Sequence, residues 1–184
     1  MTYRWIFRSV DDPATVSHLQ EALNDLPEPL ARTLALRGIA TLEEAKDFFR
    51  GTLDDLHDPF QMQDMDRAAD RLAEAIDTGE SVLVYGDYDV DGTTATTLMV
   101  QFLREHGVDA SYFIPDRYTD GYGLCKRGLD AAVDHGASLV VALDCGITAH
   151  AEADYAREQG LDLIICDHHT PKDTLPDALA VLDP

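Results

Sequence analysis

An α/β fold, built on a parallel five-stranded doubly wound sheet behind a mainly helical N-terminal extension, is what this sequence predicts. Five runs are too short for helices and too apolar for exposed strands: Val82–Tyr85, Tyr112–Ile114, Leu139–Leu143, Leu163–Cys166 and Leu179–Leu182. They read as strands buried on both faces, the pattern of a parallel sheet. A layout of apolar run, loop, amphipathic stretch and terminating glycine recurs, with stops at Gly79, Gly107, Gly136 and Gly160. Strands alternating with helices of that length imply right-handed βαβ crossovers and helices on both faces, a three-layer Rossmann-like arrangement. The first 60 residues lack the layout, which places a helical extension at 1–60 and the sheet domain at 61–184.

Each element has its own signal. The extension shows helical periodicity and several prolines, with Trp5–Phe7 as its one candidate strand. Thr41 and Glu44 stand at capping-box spacing before Ala45, Phe48 and Phe49, and Gly51 ends that helix. Met65, Ala68, Ala69, Leu72 and Ile76 mark a helix leading into the first strand. Ala95, Leu98, Met99, Phe102 and Leu103 recur at helical spacing between Gly92 and Gly107, with Thr93 as the expected N-cap and Gly107 as an αL terminator.

Composition narrows the class. A chain of 184 residues with 45% hydrophobic content can bury a sizeable core. No run approaches the roughly 18 apolar residues of a membrane span, and the opening ten residues have no signal-peptide core, so a cytoplasmic protein without membrane association is expected. Cys125, Cys145 and Cys166 form no Cys-x-x-Cys pair and are expected to be reduced thiols. The formal charge of −21 opposes any nucleic-acid partner, which normally meets a basic groove. Lys46, Lys126 and Lys172 are the only lysines, and this low-lysine, high-carboxylate balance fits acid spread over solvated faces of a salt-adapted protein.

The chemistry concentrates at three points. Asp87, Asp89 and Asp91 alternate directly after the first buried strand and share one face if the backbone stays extended. No Lys, Arg or His lies between Val82 and Leu103, so a bound cation is the economical relief of their repulsion. An EF-hand loop fits the first half of this segment but fails at its twelfth position, Leu98, where calcium needs a glutamate. Asp144 follows the strand Leu139–Leu143, and Asp167-His168-His169 follows Leu163–Cys166. The carboxyl ends of parallel strands lie along one edge, so the three groups are expected to meet there. Carboxylates with one or two imidazoles favour Mn2+ or Mg2+ over structural zinc. Two such ions, about 3.5–4 Å apart, would hydrolyse a phosphodiester in line, with Asp144 as the natural bridge.

Asp87-Tyr88-Asp89-Val90-Asp91-Gly92, Asp144-Cys145-Gly146 and Asp167-His168-His169 resemble the first three motifs of the DHH phosphoesterase family. Val84-Tyr85-Gly86, Ile114-Pro115-Asp116-Arg117, Asp120-Gly121-Tyr122-Gly123-Leu124, Arg37-Gly38-Ile39 and Asp58-Pro59-Phe60 resemble its RecJ branch in order and spacing. That branch comprises single-strand-specific 5′ to 3′ DNA exonucleases of recombination and repair. The resemblance implies two Mn2+ or Mg2+ ions held by Asp87, Asp89, Asp91, Asp144 and His168, with Asp87 either a ligand or a group behind the ligands. It implies Asp167 orienting a histidine, His169 facing the scissile phosphate, and Arg117 and Tyr122 contacting substrate. Single-stranded DNA is then the substrate of a full-length parent, with a single-strand-binding protein or a helicase as protein partners.

Two departures bear on these expectations. Tyr85 stands where related enzymes of another specificity carry a histidine, which thins the ligand set of one metal. The RecJ pattern also runs on through a fourth motif, a second lobe and an OB-fold, so the chain by itself is expected to be inactive. Two alternatives stay open: a DHH phosphodiesterase acting on short oligonucleotides or cyclic dinucleotides, and a non-catalytic relative within a replication complex. The helical extension weighs against the first, and the retained acids weigh against the second.

Overall fold

The computed structural model describes residues 4–184. The chain forms two compact units, one ending at His57 and the other beginning at Asp58, against an expected boundary after residue 60. In the first unit, α1 (Pro13–Ala22), α2 (Glu28–Ala35) and α3 (Leu42–Arg50) follow one another. Asp12 caps α1 by accepting the Ala14 N–H at 3.0 Å, and Pro13 suits the first helical position, where a missing N–H costs nothing. Val16 and Leu19 of α1 bury against Ala31 and Leu34 of α2. The capping box at Thr41 is present in both directions, with Glu44 N–H on Thr41 Oγ1 at 3.2 Å and Thr41 N–H on Glu44 Oε2 at 3.0 Å. Trp5–Phe7 forms no strand; its side chains are exposed.

The second unit contains α4 (Met65–Thr78), β1 (Val82–Gly86), α5 (Val90–Glu105), β2 (Ala110–Phe113), α6 (Lys126–Asp134), β3 (Leu139–Leu143), α7 (His150–Glu158), β4 (Asp162–Cys166) and β5 (Ala180–Leu182). The sheet is parallel throughout, in the order β2-β1-β3-β4-β5. Period-two alternation divides the strand side chains between two cores. Leu83, Tyr85, Val140, Ala142, Leu163, Ile165 and Val181 pack with α6 and α7 on one face. Val82, Val84, Leu139, Val141, Leu143, Ile164, Ala180 and Leu182 pack with α4 and α5 on the other. These are the helix layers that the alternating pattern requires.

Two expectations are corrected here. Strand β2 is not buried on both faces: it lies at the sheet edge and leaves Tyr112 62% exposed. Thr93 is not the cap of α5. The helix starts earlier, at Val90, because Asp89 Oδ1 accepts the Gly92 N–H at 3.1 Å. The four expected glycine stops all adopt positive φ, between 70° and 80°. Cys125 is half-buried, Cys145 buried and Cys166 exposed, and all three are free thiols.

The amino-terminal end of the sheet is tied by an ion network. Arg71 of α4 donates to Asp162 Oδ2 at 2.6 Å and to Glu80 Oε2 at 2.7 Å, and Ser138 also donates to Glu80. At the opposite end the chain leaves β1 toward β2 on one side, while β3 pairs on its other side. A crevice opens at such a switch point, beyond the carboxyl ends of β1 and β3.

Candidate metal centre

Asp87 is the first residue after β1 and is buried at 2% exposure. Gly86 and Gly92 fix its surroundings. A Cβ on Gly92 would overlap the Asp87 backbone, and one on Gly86 would overlap Thr96 Oγ1, so only glycines let α5 start this close to the strand. Asp89 caps that helix through one oxygen, and the Gly92 N–H holds its carboxyl below the ordinary value. The extended backbone ends at Asp89. Asp91, against the expectation that it shares one face with Asp87 and Asp89, occupies the exposed first turn of α5 and joins neither group of converging ligand atoms.

Asp144 follows β3 with φ at 60°, in the left-handed region that few residues other than glycine, asparagine and aspartate enter. Its N–H donates to the Cys166 carbonyl at 2.8 Å, which fixes this turn against β4. Its Oδ1 lies 3.0 Å from His168 Nε2. Asp167 is an acceptor hub behind the histidines. Its Oδ2 receives the Ile147 N–H at 3.0 Å, and its Oδ1 receives the His168 N–H at 2.8 Å and the His169 ring Nδ1 at 2.7 Å. Burial pushes the Asp167 carboxyl up, but these bonds, led by Ile147, bring it below the ordinary value. The Asp167 carboxylate in turn raises His169 above the usual histidine range.

Two groups of side chains offer ligand atoms that all lie within 4.8 Å of one another: Asp87, Asp89 and Asp144, and Asp144, His168 and His169. Asp144 belongs to both. Burial, then the Asp89 charge, raises the Asp144 carboxyl above its ordinary value, and burial does the same to Asp87. Asp87 Oδ1 and Asp144 Oδ2 are buried acceptors without a hydrogen-bond partner among the described residues. An orphaned carboxylate oxygen in the interior is costly, and a cation satisfies it directly. The donor set therefore fits hard divalent ions.

The remaining expected residues surround this centre. Tyr122 is exposed, with its hydroxyl 3.2 Å from His169 Nε2. Arg117 lies with Cζ 4.4 Å from the centroid of the Tyr88 ring. Tyr85 is fully buried beneath the centre and donates to the Gly123 carbonyl at 2.7 Å, supporting the loop that carries Tyr122. A cavity of about 240 Å³ beside His169 and Asp167 is lined by Tyr122, Gly146 and Ile147. A larger groove of about 680 Å³ runs along α5 and β2, lined by Thr93, Thr97, Val100, Tyr112 and Ile114, and includes none of the carboxylates of the centre. Sequence reasoning missed Tyr88, whose only signal is an aromatic between two motif acids, and the Ile147 N–H, a backbone donor with no signature in residue type.

Residues 81–184 match the DHH family, N-terminal domain. The single-stranded-DNA-specific exonuclease RecJ of Bacillus subtilis (strain 168) is 40% identical over 181 residues, covering 98% of this chain and 23% of its own length. A crystal structure of exonuclease RecJ bound to manganese superposes with a TM-score of 0.64 at 37% identity, over 70% of this chain and 33% of that one. RecJ from Thermus thermophilus in complex with Mn2+ also gives 0.64, at 31% identity over 96% of this chain and 24% of that one. The chain spans about a quarter of the length of the curated relatives it matches. Among the described residues no helix is long and apolar enough to cross a membrane.

Proposed function

Since the chain belongs to the DHH family, we propose that it forms the two-ion centre of a RecJ-type exonuclease that hydrolyses single-stranded DNA from its 5′ end. One observation carries this reading: Asp144 is common to both ligand groups, and its buried Oδ2 has no other partner among the described residues. Asp87, Asp89 and Asp144 would hold one ion, and Asp144 and His168 would hold the other, with His169 at its flank. Bound there, Mn2+ or Mg2+ would supply neutralisation of phosphoryl oxygens and a lower cost of ionising the attacking water. Asp91, outside both groups of converging ligand atoms, adds negative charge at the rim.

The chain's own groups do the rest. Asp167 fixes the His169 ring through Nδ1 and favours its protonated form, which leaves Nε2–H to donate to a phosphoryl oxygen. Arg117 pairs with a phosphate, and Tyr122 packs against a sugar or base. Bound ions would also answer the charge problem, because they would present positive charge to DNA at the centre of an acidic chain. A cytoplasmic repair role, with a single-strand-binding protein or a helicase delivering the strand, completes the proposal.

Calorimetric titration with Mn2+ tests the centre. Wild type is expected to take up two ions and Asp144→Ala neither at comparable affinity, with an unchanged circular dichroism spectrum. In the longest product of the reading frame that contains this sequence, Asp144→Ala is expected to abolish Mn2+-dependent nucleotide release from single-stranded DNA. Retained release would refute the two-ion assignment.

A further inference from the structure

Tyr88 stands between two acids of the centre and faces a cation. The Arg117 guanidinium lies over its ring at 4.4 Å. Tyr122 meets the same ring edge-on, with centroids 6.5 Å apart and planes at 77°, and Tyr122 meets His169 in turn at 5.9 Å. Arg117, Tyr88, Tyr122 and His169 thus form a continuous row beside the carboxylates.

The chain has 35 acidic and 14 basic residues. Arg32, Arg67, Arg71, Arg127 and Arg157 each pair with a carboxylate, and Arg104 donates to the Ala110 carbonyl. Arg117 forms no ion pair or hydrogen bond through its side chain among the described residues, although two acids lie close in sequence. Both are engaged elsewhere: Asp116 accepts the N–H groups of Tyr118 and Thr119, and Asp120 binds Arg127 and the Asp116 N–H. A ring face attracts a guanidinium without consuming any of its five N–H donors, whereas a carboxylate would take two.

We propose that Tyr88 is a positioning residue for Arg117, a platform that keeps the guanidinium beside the ion centre with its donors free for a phosphate of the single strand. The phosphate as ligand rests on the nuclease reading above; the stack itself does not.

In the longest product of the reading frame that contains this sequence, the test compares wild type with Tyr88→Phe, Tyr88→Leu, Arg117→Ala and the Tyr88→Leu/Arg117→Ala double variant. With single-stranded DNA and Mn2+, Tyr88→Leu is expected to raise KM about threefold to tenfold at unchanged kcat, the range of a partly exposed cation–π contact. Tyr88→Phe keeps the ring and is expected to stay within about twofold of wild type. In the Arg117→Ala background, Tyr88→Leu is expected to add nothing. An equal loss from Tyr88→Leu with and without Arg117, or a Tyr88→Phe variant as weak as Tyr88→Leu, would overturn the proposal. The ring-current shift of the Arg117 side-chain protons reads the stack independently of turnover. It should be present in wild type and Tyr88→Phe and lost in Tyr88→Leu; its absence in wild type overturns the platform. A wild type that releases no nucleotide, with that shift present, sinks the nuclease reading and leaves the stack standing.

Discussion

Asp144 combines a left-handed backbone, a buried oxygen without a partner and a neighbouring negative charge. Its carboxyl is raised in the folded state, so its contribution to stability is favourable below the unfolded value and is lost as pH rises through the folded one. At neutral pH and without metal the ionised group is a net load. Asparagine tolerates the same φ and can still accept from His168, so Asp144→Asn is expected to raise the melting temperature in EDTA by about 2–4 °C at pH 7. The gain should vanish near pH 3, and the Mn2+-induced rise expected of wild type should be lost; calorimetry with and without Mn2+ checks all three. The acids themselves were legible in the sequence because each follows an apolar run. The placement of Asp91 was not, since it depends on whether Asp89 or Thr93 caps the helix, and both residue types are good caps.

The terminal signals of whole elements are legible in the sequence where one residue decides them. Gly79, Gly107, Gly136 and Gly160 end their segments in the left-handed conformation that suits glycine, and the Thr41–Glu44 box starts α3. The edge position of β2 was invisible, because its apolar run resembles those of the central strands and only the pairing order exposes Tyr112. The Arg71 network was invisible too, since Glu80, Ser138 and Asp162 meet only once β1, β3 and β4 lie side by side. Arg71 is 11% exposed and, mainly with Ser138, holds Glu80 down at about 2. That stabilisation is fully present above the unfolded value of Glu80 and is lost as pH falls toward 2. Arg71→Met leaves two acids facing each other at part-buried positions and is expected to cost about 2 kcal/mol at pH 7. Urea melts should show the two proteins converging near pH 2.

Across the whole molecule the net charge of −21 is a repulsive load that salt can screen. The melting temperature is expected to climb steeply between about 0.1 and 1 M KCl, where the screening length falls from about 10 to 3 Å. A flat or falling response would show that the acids impose no such load. The layered topology was legible because strand and helix signals alternate. The convergence of Asp87, Asp144 and His168 followed from it, since parallel strands place their carboxyl ends on one edge. These residues span about eighty positions and meet only when β3 has inserted between β1 and β4. No half-assembled chain owns a complete clasp. Ions bound at the proposed centre would therefore not template folding but latch the finished molecule, and saturating Mn2+ should slow unfolding in stopped-flow traces while leaving the refolding rate alone.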